Sequence, residues 1–276
     1  MVSFQSMLQE AYRNRTAVGS FNFYNLETLK GILQAAGQRK VPVIAAFGKK
    51  YLPNMRLEEV AALTNAMASS CEVPVCLHLD HCNDLPNIFR AIRSGFTSVM
   101  YDGSALPFEE NVQNTIRVCE AAHACGVSVE AELGSLKAGR DSHEGTAEDK
   151  EMYTDPDAAE EFAARTGVDA LAVSIGTVHG FYRGKPNIRV DILHAINEKL
   201  HMPLVLHGGS GTPEETIRAC IAEGISKINV NTEISDFVVK KSRDYLEKES
   251  PHFSVLSLKL AEFAAEAAGK YMDLFH

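Results

Sequence analysis

Short apolar or β-branched runs alternate with longer stretches of helical period along the whole chain, and this alternation most constrains its fold. The strand-like runs fall at 17–23, 41–47, 73–79, 97–103, 127–133, 168–175, 202–208 and 226–231. Helical stretches follow at about 25–38, 57–70, 84–94, 108–125, 156–166, 190–200, 213–223 and 232–248, and a further helix at 254–273 closes the chain. Eight strand–helix units in 276 residues predict an α/β fold, a single (β/α)8 TIM-barrel domain over 1–276 with an extra C-terminal helix. A doubly wound sheet would carry a Gly-rich fingerprint after its first strand, and GSFNF has one glycine.

A barrel of this kind puts its chemistry where strands end. Three strand ends carry histidine. The third ends in His78-Leu79-Asp80-His81, the sixth runs into SIGTVHG with His179, and the seventh ends in LVLHGGSG with His207. Burying such groups costs several kcal/mol unless each is paired or ligated. Three imidazoles converging on one face make a metal site with an open position, for which Zn2+ is the natural ion and Co2+ or another divalent ion a substitute. His78 shares a face with Asp80 and is expected to support the site rather than ligate. His123, His143, His194, His201 and His276 fall on helices, loops or the terminus and carry little weight.

Acidic and glycine-rich strand ends complete the pattern. Asp102 follows the fourth strand in YDGS. Glu130 and Glu132 alternate on the fifth, so both point inward or both outward. HGGSG (207–211) and NVNT (229–232) offer backbone N–H groups at the loops after strands seven and eight, where many barrels hold phosphate against helix N-termini.

The net charge of −9 argues against nucleic acid or an anionic membrane as partner, while leaving room for a phosphorylated small molecule. The N-terminus lacks the basic and apolar blocks of a signal peptide, no apolar run is long enough to span a bilayer, and the six cysteines are scattered. A cytoplasmic protein with reduced thiols is expected.

LHLDH, YDGS, VEAELG, TVHG, LVLHGGSG and KINVNTE, in this order and spacing, resemble the class II, metal-dependent ketose-bisphosphate aldolases of the fructose- and tagatose-bisphosphate type. The resemblance runs from about residue 3 to 240. It implies His81, His179 and His207 as ligands of the catalytic zinc, and Asp80 as general acid/base at the substrate's C4 hydroxyl. Asp102 and Glu132 match an alternative metal position. Asn22, Gly180, Gly208, Gly209, Ser210, Asn229, Asn231 and Thr232 match positions that hold the ketose and its C1 phosphate, some of which also surround a monovalent cation such as Na+. It further implies reversible cleavage of a ketose 1-phosphate or 1,6-bisphosphate to dihydroxyacetone phosphate and an aldehyde by a homodimer or homotetramer. The helix at 254–273, with Val255, Leu256, Leu258, Leu260, Phe263 and Ala264, carries apolar surface for such an assembly.

This chain departs from the pattern in three places. After ELG the family carries a Gly-Gly-x-Glu-Asp run, but SLKAGRDSHEG puts Arg140 where the Glu belongs; Asp141, Glu144 and Glu148 are the candidate replacements. The lysine after VHG is Arg183, assigned here to substrate. An Asp-Pro-Arg segment for a second phosphate reads Ser250-Pro251-His252. The first departure keeps open a metal-binding barrel that acts as a regulatory or non-catalytic subunit. The last points to an aldehyde half other than glyceraldehyde 3-phosphate. A Schiff-base aldolase is disfavoured, because the one strand lysine, Lys227, stands at the start of its strand.

Overall fold

The computed structural model describes residues 1–142, 152–184 and 186–276. Its strands are β1 (Val18–Asn22), β2 (Val43–Gly48), β3 (Val75–Cys82), β4 (Ser98–Tyr101), β5 (Ser128–Leu133), β6 (Lys137–Ala138), β7 (Ala170–Val173), β8 (Val178–His179), β9 (Leu204–Leu206) and β10 (Ile225–Val230). Its helices are α1 (Phe4–Asn14), α2 (Leu26–Arg39), α3 (Leu57–Ala68), α4 (Leu85–Ser94), α5 (Phe108–His123), α6 (Pro156–Thr166), α7 (Val190–Leu200), α8 (Glu214–Ala222), α9 (Thr232–Leu246) and α10 (Phe253–Phe275). Eight parallel strands close into a barrel in the order β1-β10-β9-β7-β5-β4-β3-β2. The expected (β/α)8 barrel and its terminal helix are both present.

Local chemistry explains the helix boundaries. The Asn25 side chain accepts from the Thr28 N–H in a capping box at the start of α2. Asp84 and Asp155 cap α4 and α6, each followed by proline in the first turn, and Gly95 and Gly167 end those helices in the left-handed conformation. The terminal helix α10 lies against α2. A Cβ on Gly31 would sit 2.4 Å from the Ala261 carbonyl oxygen, so the approach requires glycine there.

Two features go beyond the sequence reading. The first is α1. Its Phe4, Met7, Leu8 and Ala11 form a cluster with Val18, Ile44, Cys76, Ala170, Ala172 and Val205 from the barrel strands. The helix therefore plugs the N-terminal end of the barrel. The second is a two-stranded parallel ribbon, β6 with β8, beside the opposite end. It carries His179.

Candidate active site

Asp80 and His81 are consecutive on β3, and consecutive strand residues point to opposite faces. The backbone departs from that rule here. His81 has φ 44°, and the β3–β4 register slips between Leu79 and Cys82. A bulge of this kind re-aims a side chain. It turns His81 to the barrel mouth alongside Asp80. A non-glycine residue held in this region costs on the order of 1–3 kcal/mol, and persists where its surroundings over-determine it.

His81, His179 and His207 each offer a ring nitrogen within 4.8 Å of the others'. His81 Nδ1 lies 3.0 Å from Asp102 Oδ2, and His207 Nε2 lies 2.8 Å from Glu130 Oε1. These carboxylates assign the tautomers, since each outer N–H donates to one of them. The facing atoms, His207 Nδ1 and His81 Nε2, are 2.7 Å apart. With both outer nitrogens protonated, two lone pairs oppose each other, an arrangement that a cation resolves. Burial, the largest cause, pushes His207 and His179 below the usual imidazole range, so both stay neutral and able to ligate.

A second donor set shares His81. Asp102, Glu132 and His81 also bring ligand atoms within 4.8 Å. Burial and the neighbouring Asp102 charge hold the Glu132 carboxyl well above its ordinary range, and its buried Oε2 has no hydrogen-bond partner. Both sets thus fit a divalent ion: imidazoles with lone pairs inward, and a carboxyl that a cation would ionise.

Asp80 is clamped. Asn22 Nδ2 donates to Oδ2 and Asn229 Nδ2 to Oδ1, each at 2.9 Å. Burial alone would raise this carboxyl, but its basic neighbours, His81 foremost and then Lys227, outweigh it and hold Asp80 below the usual carboxylate range. Beneath it lies a buried ionic layer. Lys227 Nζ is 2.8 Å from Glu130 Oε2 and donates to Asn229 Oδ1 at 2.6 Å. His78 lies in the same layer, with Nδ1 2.6 Å from Ser98 Oγ and Nε2 3.6 Å from Glu130 Oε2. Glu130 and Glu132 both point inward. Lys227 stands near the start of its strand, as the sequence indicates, in register with Val18, and it is buried inside the barrel, one ammonium holding the partners of His207 and of Asp80. Its spacing was the signal, since Lys227, Asn229 and Asn231 fall on one face at period two.

A cleft opens beside the histidines, lined by His179, Gly180, Gly208, Ser210, Asn229, Asn231 and Thr232. The N-terminus of α9 opens into it at Thr232. Gly208 has φ 73°, and a Cβ there would meet the Val178 carbonyl oxygen at 2.3 Å, so only glycine closes this wall. Gly209 donates its N–H to the Asn229 carbonyl and backs the loop rather than lining the cleft. Asn231 is held by two phenols that the sequence reading missed: it accepts from Tyr24 and donates to Tyr51.

Arg183 stands exposed in the loop after β8, outside this cluster. Arg140 is exposed at the rim, its guanidinium 5.6 Å from the Phe181 ring centre and 3.2 Å from Asp141. Of the candidate loop acids, Asp141 is exposed, and Glu144 and Glu148 lie outside the described residues.

The family model described as fructose-bisphosphate aldolase class-II matches residues 2–276. The chain belongs to the class II fructose-bisphosphate aldolase family. It is a class II aldolase, a metal-dependent carbon–carbon lyase. It is 44% identical over 254 residues to a fructose-bisphosphate aldolase of Geobacillus stearothermophilus, covering 90% of this chain and 87% of that one. A sulfofructosephosphate aldolase of Alkalicoccus urumqiensis is 43% identical over 234 residues, covering 84% and 81%. The crystal structure of the YdjI aldolase from Escherichia coli K12 superposes with a TM-score of 0.88 at 32% identity, covering 100% of this chain and 97% of that one. Among the described residues, no helix of this aldolase is long and apolar enough to cross a membrane.

Proposed function

We propose that the protein is a cytoplasmic, single-domain aldolase that reversibly cleaves a ketose 1-phosphate to dihydroxyacetone phosphate and an aldehyde. The observation that carries this is the Asp80 carboxylate fixed by two amides beside three converging imidazoles. His81, His179 and His207 would hold Zn2+, with Co2+ able to substitute, and Asp102 and Glu132 would offer an alternative position. When bound, the ion supplies Lewis-acid polarisation of the ketose carbonyl.

The chain's own groups do the rest. Asp80 takes the C4 hydroxyl proton in cleavage and returns it in condensation. Each of its oxygens accepts one amide hydrogen bond, which aims the carboxylate and leaves lone pairs for the hydroxyl. The C1 phosphate occupies the cleft of Gly180, Gly208, Ser210, Asn231 and Thr232, where the α9 N-terminus favours an anion. A monovalent cation such as Na+ adjoins the same loops. Asp141, Glu144 or Glu148 serves the proton at the carbon next to the carbonyl. The exposed Phe253, Val255 and Leu258 of α10 support assembly into at least a dimer.

The aldehyde half differs from glyceraldehyde 3-phosphate. His252 caps α10, its Nδ1 accepting from Ser254 N–H at 3.3 Å, and does not replace an arginine. Arg140 at the rim supplies a replacement cation, suited to a singly charged carboxylate or sulfonate; one relative's name gives it a sulfo-sugar phosphate as substrate. A panel of ketose 1-phosphates ranked by kcat/KM tests this. A sugar with a neutral, carboxylate or sulfonate terminus is expected to lead. Fructose 1,6-bisphosphate leading at about 10⁴ M⁻¹s⁻¹ or above would overturn the substrate assignment.

A further inference from the structure

The cleft assigned to phosphate has two walls, the loop 208–212 and the first turn of α9. One side chain joins them. Gly211 N–H donates to Glu233 Oε2 at 2.9 Å, and Glu233 N–H donates to Ser210 Oγ at 3.2 Å. The same Glu233 oxygen accepts a hydrogen bond from the hydroxyl of Tyr271, on the last helix. Burial, with the carboxylate beside it, pushes the Tyr271 hydroxyl up, so it remains a donor. On its other side the loop is fastened by Tyr182, whose hydroxyl lies 2.8 Å from Thr212 Oγ1, and by Thr212 Oγ1 donating to the Gly208 carbonyl at 3.0 Å.

A carboxylate next to Thr232 is an unexpected companion for a phosphate, because like charges repel in a partly buried cleft. Here its charge is spent on a backbone N–H and a phenol. We propose that Tyr271 is a positioning residue for the phosphate subsite: it holds Glu233 on Gly211, fixing the loop against α9 and keeping a negative charge out of the cleft. The inference rests on the assignment of this cleft to the C1 phosphate.

Removing one hydrogen bond to a charged group while keeping the ring tests it. Tyr271→Phe retains the packing against Phe275, whose ring centre is 5.7 Å away. Calorimetry on the zinc-loaded full chain compares dihydroxyacetone phosphate with dihydroxyacetone. Tyr271→Phe is expected to weaken the phosphorylated ligand about ten-fold, the usual weight of such a bond, and to leave dihydroxyacetone and bound zinc unchanged. In turnover, KM rises and kcat holds. Glu233→Gln keeps the acceptor without the charge, so it should bind at least as tightly as the unaltered chain. The double variant should recover most of the loss, because a released glutamine repels nothing. An unaltered affinity in Tyr271→Phe, equal weakening of both ligands, or a double variant as weak as Tyr271→Phe would each overturn the proposal. So would a Tyr271→Phe chain that fails to fold, since a positioning hydroxyl is dispensable to the fold. If the unaltered chain binds no dihydroxyacetone phosphate, the functional reading fails and takes this inference with it; if it binds and Tyr271→Phe matches it, the inference alone fails.

Discussion

At the N-terminal end of the barrel, Phe4, Met7, Leu8 and Ala11 of α1 pack on Val18, Ile44 and Cys76. Four residues further along the same strands, β1 and β3 present Asn22 and Asp80 to the opposite end. One end is sealed with apolar volume; the other holds a constellation of ionisable groups. Between them lies the Lys227–Glu130–His78 layer, buried yet charged. Replacing such a layer with apolar side chains is often neutral or stabilising, so its presence is weak evidence of stability. Its contacts run upward, to His207 through Glu130 and to Asp80 through Asn229. The comparison teaches that each strand spends its first residues on the fold and its last on the site, with an ionic floor that orients the chemistry.

Chelation gives the sharpest separation of the two ends. Stripping the divalent ion should abolish cleavage while far-ultraviolet circular dichroism stays that of a folded barrel, and zinc or cobalt should restore activity. Full turnover without metal, or inactivation by borohydride in the presence of substrate, would remove the three-histidine account and bring Lys227 forward as a Schiff-base residue.

Next in size is the ionic floor. Lys227→Met leaves Glu130 buried without a counter-charge, which costs about 3–5 kcal/mol. The melting temperature should fall by roughly 10 °C. Both metal affinity and kcat should fall too, because His207 and Asp80 lose their common support. A variant with the original melting temperature and kcat would detach the floor from the site.

The sealed end should respond differently. Leu8→Ala removes a fully buried side chain and is expected to lower stability by about 2–5 kcal/mol, read from denaturant titration, with kcat unchanged at temperatures where the chain is folded. A lowered kcat would mean the plug communicates with the mouth.

The smallest effect is on pH. Burial, with the Lys227 charge, pushes His78 down to about 3, whereas an unfolded chain protonates it near 6.5. The unfolded state thus takes up a proton that the folded state refuses. Stability is complete above about pH 6.5 and declines as pH falls toward 3, by at most about 1.4 kcal/mol per unit. His78→Gln should flatten the slope between about pH 6.5 and 5, where carboxylates titrate little. An unchanged slope would show that His78 is charged in the fold.

The barrel was legible because hydrophobic period survives in every unit, and the histidines because strand ends are where such a fold keeps its chemistry. α1 was missed although Phe4, Met7, Leu8 and Ala11 have helical spacing; a reading that starts at the first strand leaves such a segment without a partner to pack on. The contacts of Lys227 were missed because its position along the strand was read without its face. The way Asp80 and His81 share one mouth could not be read at all, since it depends on a left-handed φ and a register slip that no residue type announces. The Tyr24–Asn231–Tyr51 contacts join residues 207 and 180 positions apart and belong to barrel closure, not to local pattern.

Asp80 carries the central claim, and one variant tests it in two assays. Asp80→Ala should keep its metal and lose cleavage by about 10²-fold or more, the usual weight of general acid–base catalysis. Exchange of the C1 proton of dihydroxyacetone phosphate does not involve the C4 hydroxyl and should fall far less. Equal losses in the two assays would contradict the account and make Asp80 a support of the metal site.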